Sequence, residues 1–506
     1  MENKGIGSWA TRRRVKSAGK TAFIFNDDIT TYDEFYVQVN QLAHALRGAG
    51  ITSGTRVAYL GENHPSFLVT FLATTQIGAI FVPLNTRLAP AEVSYALDDS
   101  GASLLIHSSA LAHLAVQGSA GMPLRLVQAD GEPHEAGATT LAAFTEGASV
   151  EFIDEPVQLR DPALILYTSG TTGHPKGAVL THENFLWNTF NAIVDFDITS
   201  KEMSLMISPL FHVASLGMGA LPMLIKGGTI VLEAGFNPER ALMLIEKYGI
   251  TMLSGVPTTY QMMCEHPNWA TTNLSTVHHM TCGGSAVPAR VLDAYESRGL
   301  AFTLSYGMTE SSPGATSMPP AYSRAKAGSS GLPHYFVDMR IRAEDNTEAP
   351  VGEVGEIQLR GPNVIAEYWN KPEASRDSFV DGDWFKTGDM GYVDTDGFLF
   401  VADRIKDMII SGGENIYPAE IEQIIFELDG VTGAALIGVP DDKWGEVPWA
   451  ILTMAGGATV TLEQVRDHLT NRVARYKMPK NVIVIDEFPR TASGKIRKAD
   501  LRKRFA

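Results

Sequence analysis

The stretch that decides the fold runs Tyr167-Thr168-Ser169-Gly170-Thr171-Thr172-Gly173-His174-Pro175-Lys176-Gly177. An apolar run, residues 163–166, precedes it and reads as a buried strand. Three glycines in the stretch let backbone amides approach an anion, four hydroxyls from Thr168 to Thr172 can donate to it, and Lys176 supplies a cation. No acidic residue lies between Asp161 and Glu183, so the local field favours phosphate. The spacing is not GxxxxGK[ST], and Pro175 precedes the lysine, which separates this loop from the common P-loop. No helix follows at once: residues 178–180 read as a second strand, with Thr181 capping the helix after it.

Outward from the loop, apolar strand-like runs alternate with amphipathic helical stretches, the pattern of a layered α/β architecture. Residues 55–60, 79–83 and 101–107 read as strands and 66–77 as a helix. Residues 117–157, rich in small and acidic side chains, read as surface elaboration. A chain of 506 residues exceeds what one core usually organises, so at least two domains are expected. The second starts after Asp403-Arg404-Ile405-Lys406-Asp407, which divides the chain into a large multi-layered α/β domain, 1–405, and a small α+β domain, 406–506. In the small domain Pro418 opens a helix bearing Ile421, Ile424 and Ile425. Residues 434–439, 448–454 and 481–485 read as strands, and Thr461 with Gln464 forms a capping box ahead of Val465, Leu469 and Val473.

The net charge of −16 excludes nonspecific nucleic-acid binding. Two cysteines, Cys264 and Cys282, give neither a disulfide framework nor a zinc spacing and read as core residues. Residues 1–20 lack the apolar core of a secretory signal, and no run approaches the length of a membrane span. The expectation is a cytoplasmic protein with no integral membrane segment, with a homodimer as the oligomeric reading.

The loop resembles the phosphate-binding signature of the superfamily of acyl-CoA synthetases, nonribosomal-peptide adenylation domains and beetle luciferases, and further family motifs follow in the family's order. Tyr306-Gly307-Met308-Thr309-Glu310, with Ser305 before it, matches the second signature. The resemblance implies that Tyr306 stacks on adenine, Thr309 donates to the α-phosphate and Glu310 holds Mg²⁺. Gly283-Gly284-Ser285-Ala286 resembles the segment lying against adenine and the acid. Asp389, in Trp384-Phe385-Lys386-Thr387-Gly388-Asp389, resembles the ribose ligand, and Arg404 the arginine that contacts ribose or phosphate. Lys495, in the loop Thr491-Ala492-Ser493-Gly494-Lys495, resembles the catalytic lysine that bridges the substrate carboxylate and the α-phosphate. His212 stands at the family's position at the mouth of the acid pocket, where the resemblance implies a positional role. Lys406 matches the hinge, which implies that the small domain is mobile.

The implied reaction uses ATP, Mg²⁺ and coenzyme A with a small-molecule carboxylic acid: an acyl-adenylate forms and the acyl group passes to the thiol. Opposing two anions at the α-phosphate needs fixed positive charge, which explains a lysine and a metal where no Ser/His/Asp or Cys/His constellation occurs. Expected pocket walls are Val213, Ala214, Met218, Pro313 and Gly314, small or apolar side chains. No acidic residue is placed to pair an α-ammonium, which counts against amino-acid activation. Over the full length the chain resembles bacterial feruloyl-CoA synthetases, then fatty acyl-CoA synthetases. The expected acid is therefore a hydroxycinnamic acid such as ferulate, with a medium- or long-chain fatty acid as the alternative. Loading of a carrier protein and a non-catalytic nucleotide-binding role stay open on the residues alone.

Overall fold

Pro162–Thr168 and Lys176–Thr181 form the two strands expected on either side of the loop, and they pair antiparallel from Pro162↔Thr181 to Thr168↔Lys176. A computed structural model describes the chain except residues 134–137, 169–174, 284–286, 405–406, 412–413, 471, 492–494 and 506, and the side chains of 403 and 404. The pair closes one edge of a six-stranded sheet in the order 125–128, 102–107, 56–60, 80–84, 162–168, 176–181. Arg56–Leu60 lies parallel to both Ile80–Leu84 and Ala102–His107. The connecting helix Pro65–Gln76 is buried at every residue after Pro65, so it lies inside the molecule, not on its surface. His64 caps it, its Nδ1 accepting from the Ser66 amide at 3.1 Å.

A nine-stranded sheet adds the central parallel strands Phe302–Gly307, His279–Gly283, Met252–Gly255, Met203–Met206 and Thr229–Leu232. Phe23, Phe35, Phe67, Phe71, Phe81 and Phe185 are all fully buried in the largest core cluster, which includes side chains from both sheets. A five-stranded sheet that includes Gly355–Arg360, Trp384–Val393 and Leu399–Arg404 completes the large domain. Where residues 117–157 read as elaboration, a strand, Arg125–Gln128, extends the first sheet and a short helix, Leu141–Thr145, follows.

The small domain has its own core, around Ile409, Ile416, Ile421, Ile425, Leu436, Leu452, Val465 and Leu469. Its strands are longer than the sequence suggests: Val431–Asp441 and Gly445–Met454 form one antiparallel hairpin. The Thr461–Gln464 capping box is present, with the Thr461 hydroxyl accepting from the Gln464 amide at 3.2 Å. That helix ends at Leu469, so Val473 packs on the core from beyond it. The last helix, Lys498–Phe505, is tied down by charge: Arg502 donates to Asp407 at 2.7 Å, and Lys498 pairs with Glu422 at 2.8 Å. Cys282 is buried and Cys264 half-buried. Among the described residues no helix is long and apolar enough to cross a membrane.

His182 ties the N-terminus to this frame. The Ile6 amide donates to its Nδ1 at 3.1 Å, the ring is fully buried, and burial pushes its pKa down to about 3. Free histidine titrates near ~6.5, so below that pH the unfolded chain takes up a proton that the native chain refuses. Stability is therefore fully present above about pH 6.5 and is lost as pH falls toward 3. His182→Asn should be less stable at pH 7 yet lose less between pH 6.5 and 5. Urea unfolding across that range checks this; parallel pH dependences in the two proteins would contradict it.

Candidate active site

Tyr306 and Asp389 come from different sheets and meet: the Tyr306 hydroxyl donates to Asp389 Oδ2 at 2.7 Å. Asp389 is only 5% exposed, and an unpaired carboxylate at that depth would be costly. It is aimed by an irregularity in Trp384–Val393, where Lys386 and Met390 face Gln358 and Glu356 and the residues between bulge out. Gly388 takes φ +70° there, and the Thr387 hydroxyl accepts from the Asp389 amide at 3.0 Å while donating to the Ile357 carbonyl at 2.7 Å. The backbone of Arg404 pairs directly opposite Asp389. On the other side Gly307 has no alternative: a Cβ there would sit 1.7 Å from the Pro313 carbonyl oxygen. The second signature can thus fold back on itself, with the Met308 amide donating to Pro313 O at 3.1 Å.

Glu310, 7% exposed, accepts at Oε1 from the Tyr368 hydroxyl at 2.9 Å. The Lys176 ammonium lies 5.2 Å over the same tyrosine ring. Burial, followed by the Glu310 charge, pushes the Tyr368 phenol above its ordinary range, so it stays a donor at neutral pH. Tyr368 is held by pairing of 367–369 against the strand Lys176–Thr181, including Trp369 N–H to Gly177 O at 2.7 Å. The phosphate-loop lysine and the carboxylate expected to hold Mg²⁺ are thereby joined through one aromatic side chain. The buried Glu310 carboxylate is a hard oxygen donor of the kind that binds Mg²⁺.

The proposed pocket walls are carried by a π-helix, Ala214–Ala220, and by the turn 312–314. Asn188 joins them: its Nδ2 donates to Gly217 O at 2.9 Å, and its Oδ1 accepts from the Gly314 amide at 3.0 Å. The approach is so close that a Cβ on Gly217 would meet the Ser312 carbonyl oxygen at 2.6 Å. Val213, Pro313 and Gly314 are buried, Met218 is half-buried and Ala214 is exposed. Ser305 pairs with Gly283, and its hydroxyl is buried without a hydrogen-bond partner. If Ala214 lines the acid path, Ala214→Phe should raise KM for bulky acids and leave the MgATP dependence unchanged. An unaltered acid profile would remove Ala214 from the pocket.

Asn63 holds the segment leading to His212, its Nδ2 donating to Ser208 O at 2.9 Å and its Oδ1 accepting from the Leu210 amide at 2.7 Å. His212 Nε2 is buried with no hydrogen-bond partner. Burial first, then the charges of Lys495 and Arg87, push its pKa down to about 4. The imidazole is therefore neutral at pH 7 and a poor proton acceptor, which favours a positional role. Lys495 is thus near enough to His212 for its charge to act on the ring. Its loop is anchored by Arg87, whose Nη1 donates to the Thr491 carbonyl at 3.3 Å, and by the Thr491 amide donating to Lys495 O at 2.7 Å.

Comparison with known proteins gives the family. The AMP-binding enzyme model matches residues 10–369, and the AMP-binding enzyme C-terminal domain model matches 420–495. The chain belongs to the AMP-binding enzyme family. It is 45% identical to a feruloyl-CoA synthase of an Amycolatopsis species, with all of both chains covered. It is 36% identical to a long-chain-fatty-acid–CoA ligase of Mycobacterium tuberculosis, covering 99% of each. Among solved structures it resembles the o-succinylbenzoate coenzyme A synthetase of Bacillus subtilis in complex with ATP and magnesium ion. That match has a TM-score of 0.87 at 31% identity, over 98% of this chain and 99% of the other.

Of the residues this AMP-binding enzyme was expected to use, Ser169, Gly170, Thr171, Thr172, Gly173, Gly284, Ser285, Ala286 and Lys406 lie outside the described residues, as does the Arg404 side chain. Thr168 and Lys176 face each other at the neck of the phosphate loop, and half-buried Thr309 neighbours Glu310 on one tight turn. Sequence reading missed Tyr368, Asn188 and Arg87. Tyr368 sits in Glu367-Tyr368-Trp369, an aromatic pair after an acid, which is a weak signal alone. Asn188 and Arg87 carry no local signal.

Proposed function

We propose that this AMP-binding enzyme is an ATP-dependent acid–CoA ligase whose acid is a hydroxycinnamate such as ferulate. The observation that carries the reading is that the fold joins Glu310 to Lys176 through Tyr368 and brings Tyr306 onto Asp389. In the first half-reaction a substrate carboxylate oxygen attacks the α-phosphorus of ATP and pyrophosphate leaves. In the second the coenzyme A thiol attacks the acyl carbonyl, loses its proton, and AMP leaves. Lys495 offsets the repulsion between carboxylate and phosphate. Lys176 and Thr168 flank the phosphates, Asp389 accepts from the ribose hydroxyls, and Tyr306 supplies a face for adenine. Mg²⁺, when bound at Glu310, would neutralise triphosphate charge. The Asn188-linked walls receive the acid.

Ferulate is supported by the 45% identity to a feruloyl-CoA synthase across the full length. A fatty acid is the second reading, supported by the 36% identical long-chain ligase. Thioester formation measured on ferulate, p-coumarate, benzoate and fatty acids of graded length separates them. The highest kcat/KM belongs to ferulate or p-coumarate on this reading; a rise with alkyl chain length would replace it.

Because Lys495 and the incoming thiol need the same mouth, the small domain must be exchanged between half-reactions, and Lys406 is the proposed pivot. Proline fixes φ near −65° and removes an N–H. Lys406→Pro should spare acyl-AMP formation in a single turnover and sharply slow coenzyme A capture. Equal retention of both half-reactions would remove Lys406 as the hinge.

A further inference from the structure

Away from the nucleotide motifs, three neighbouring parallel strands begin side by side. Glu202 immediately precedes Met203–Met206, Thr251 immediately precedes Met252–Gly255, and His279 opens His279–Gly283, with Met252 in register with both Ser204 and His279. Gly283 and Tyr306–Gly307 stand at the opposite, C-terminal ends of their strands, the usual ligand edge of such sheets. We propose that Glu202, His278 and His279 form a binding site for a transition-metal dication, zinc in the first instance, which clamps the starts of these strands.

The side chains offer one carboxylate oxygen and two imidazole nitrogens, all within 4.8 Å of one another. Glu202 Oε2 is 3.1 Å from His278 Nε2. Two ligands at about 2.0–2.1 Å from a tetrahedral zinc stand about 3.3 Å apart, so this pair is already at coordination spacing. His278 Nδ1 lies 3.0 Å from the Thr276 carbonyl oxygen, which can only accept, so Nδ1 carries the proton. In the neutral ring the Nε2 lone pair then points at Glu202 Oε2. Two acceptors at that distance need a proton or a cation between them.

The carboxylate is as firmly set as the ring. Glu202 is 5% exposed, with Thr199 Oγ1 donating to Oε1 and Thr251 Oγ1 to Oε2, each at 2.7 Å. Thr251 Oγ1 in turn accepts from the Met203 amide at 2.9 Å. Outer partners of this kind, a carbonyl on the distal imidazole nitrogen and hydroxyls on the carboxylate, are what fix ligands at metal sites. His278 is 53% exposed at its side chain, which gives an ion its way in and water the fourth position. A proton is the competing occupant, making His278 and Glu202 a plain ion pair.

Zinc and cobalt titrations of the nucleotide-free full chain decide between them. The wild type should bind one more equivalent of Zn²⁺ than the His278→Ala/His279→Ala variant. It should show the visible absorption of tetrahedral Co²⁺, and it should gain thermal stability with zinc that the variant does not. Glu202→Gln, which keeps the size of the side chain, should weaken zinc binding at least about tenfold. Magnesium-dependent ligase turnover should persist in the histidine variant, which doubles as proof that it folds. Equal zinc stoichiometry in wild type and variant, or only the spectrum of hydrated Co²⁺, would overturn the site and leave the ion pair.

Discussion

Replacing Lys495 with alanine lowers the rate of acyl-adenylate formation by about 10²–10³-fold, while conversion of synthetic acyl-AMP to the thioester is largely kept. The reason is electrostatic. Carboxylate and α-phosphate both bring negative charge to a mouth where His212 is neutral, its pKa pushed down to about 4. Beside His212 the two charges that depress it are those of Lys495 and Arg87. Arg87 donates to the Thr491 carbonyl, and Lys495 is the cation that the family resemblance assigns to the reacting oxygens. Thioester formation begins from an activated mixed anhydride and needs no such cation. Rapid-quench measurement of each half-reaction separates the two effects. Equal losses in both, with folding intact, would show that Lys495 supports the site and does not act in it.

Asp389→Ala should raise KM for ATP by roughly 10- to 100-fold, the loss expected when hydrogen bonds to a charged acceptor, worth about 1.5–3 kcal/mol, are removed. The change also removes the acceptor of the Tyr306 hydroxyl, whose bond to Asp389 Oδ2 spans 2.7 Å, and so loosens the proposed adenine platform. Asp389→Asn is the control. It keeps an acceptor for Tyr306 but removes the charge, and should fall between wild type and alanine. The acid KM, set at the Asn188-linked walls, should move little. An unchanged ATP KM in Asp389→Ala would remove Asp389 as a ribose ligand.

What was legible in the sequence was what short-range chemistry writes into consecutive residues. The strands around the phosphate loop, the Thr461–Gln464 box and the Tyr306–Glu310 signature depend on neighbours within a few positions. What was not legible depends on distance along the chain. Asn188 reaches Gly314 across 126 positions, Tyr368 reaches Glu310 across 58, and Arg87 reaches Thr491 across 404. An asparagine facing two carbonyl-rich turns looks like any helix residue until the fold brings them together. The strands read as 434–439 and 448–454 run on in the fold to a paired hairpin, Val431–Asp441/Gly445–Met454, which takes in Pro440 and Pro448.

The most direct test of the central claim is one single-turnover experiment with enzyme, MgATP and ferulate, quenched before and after addition of coenzyme A. The account predicts stoichiometric pyrophosphate release and an enzyme-bound feruloyl-AMP that builds up first. Coenzyme A should then convert it to feruloyl-CoA and AMP, with no phosphorylated or acylated protein at any time. Pyrophosphate release without a trapped adenylate, or an adenylate that coenzyme A fails to discharge, would contradict it.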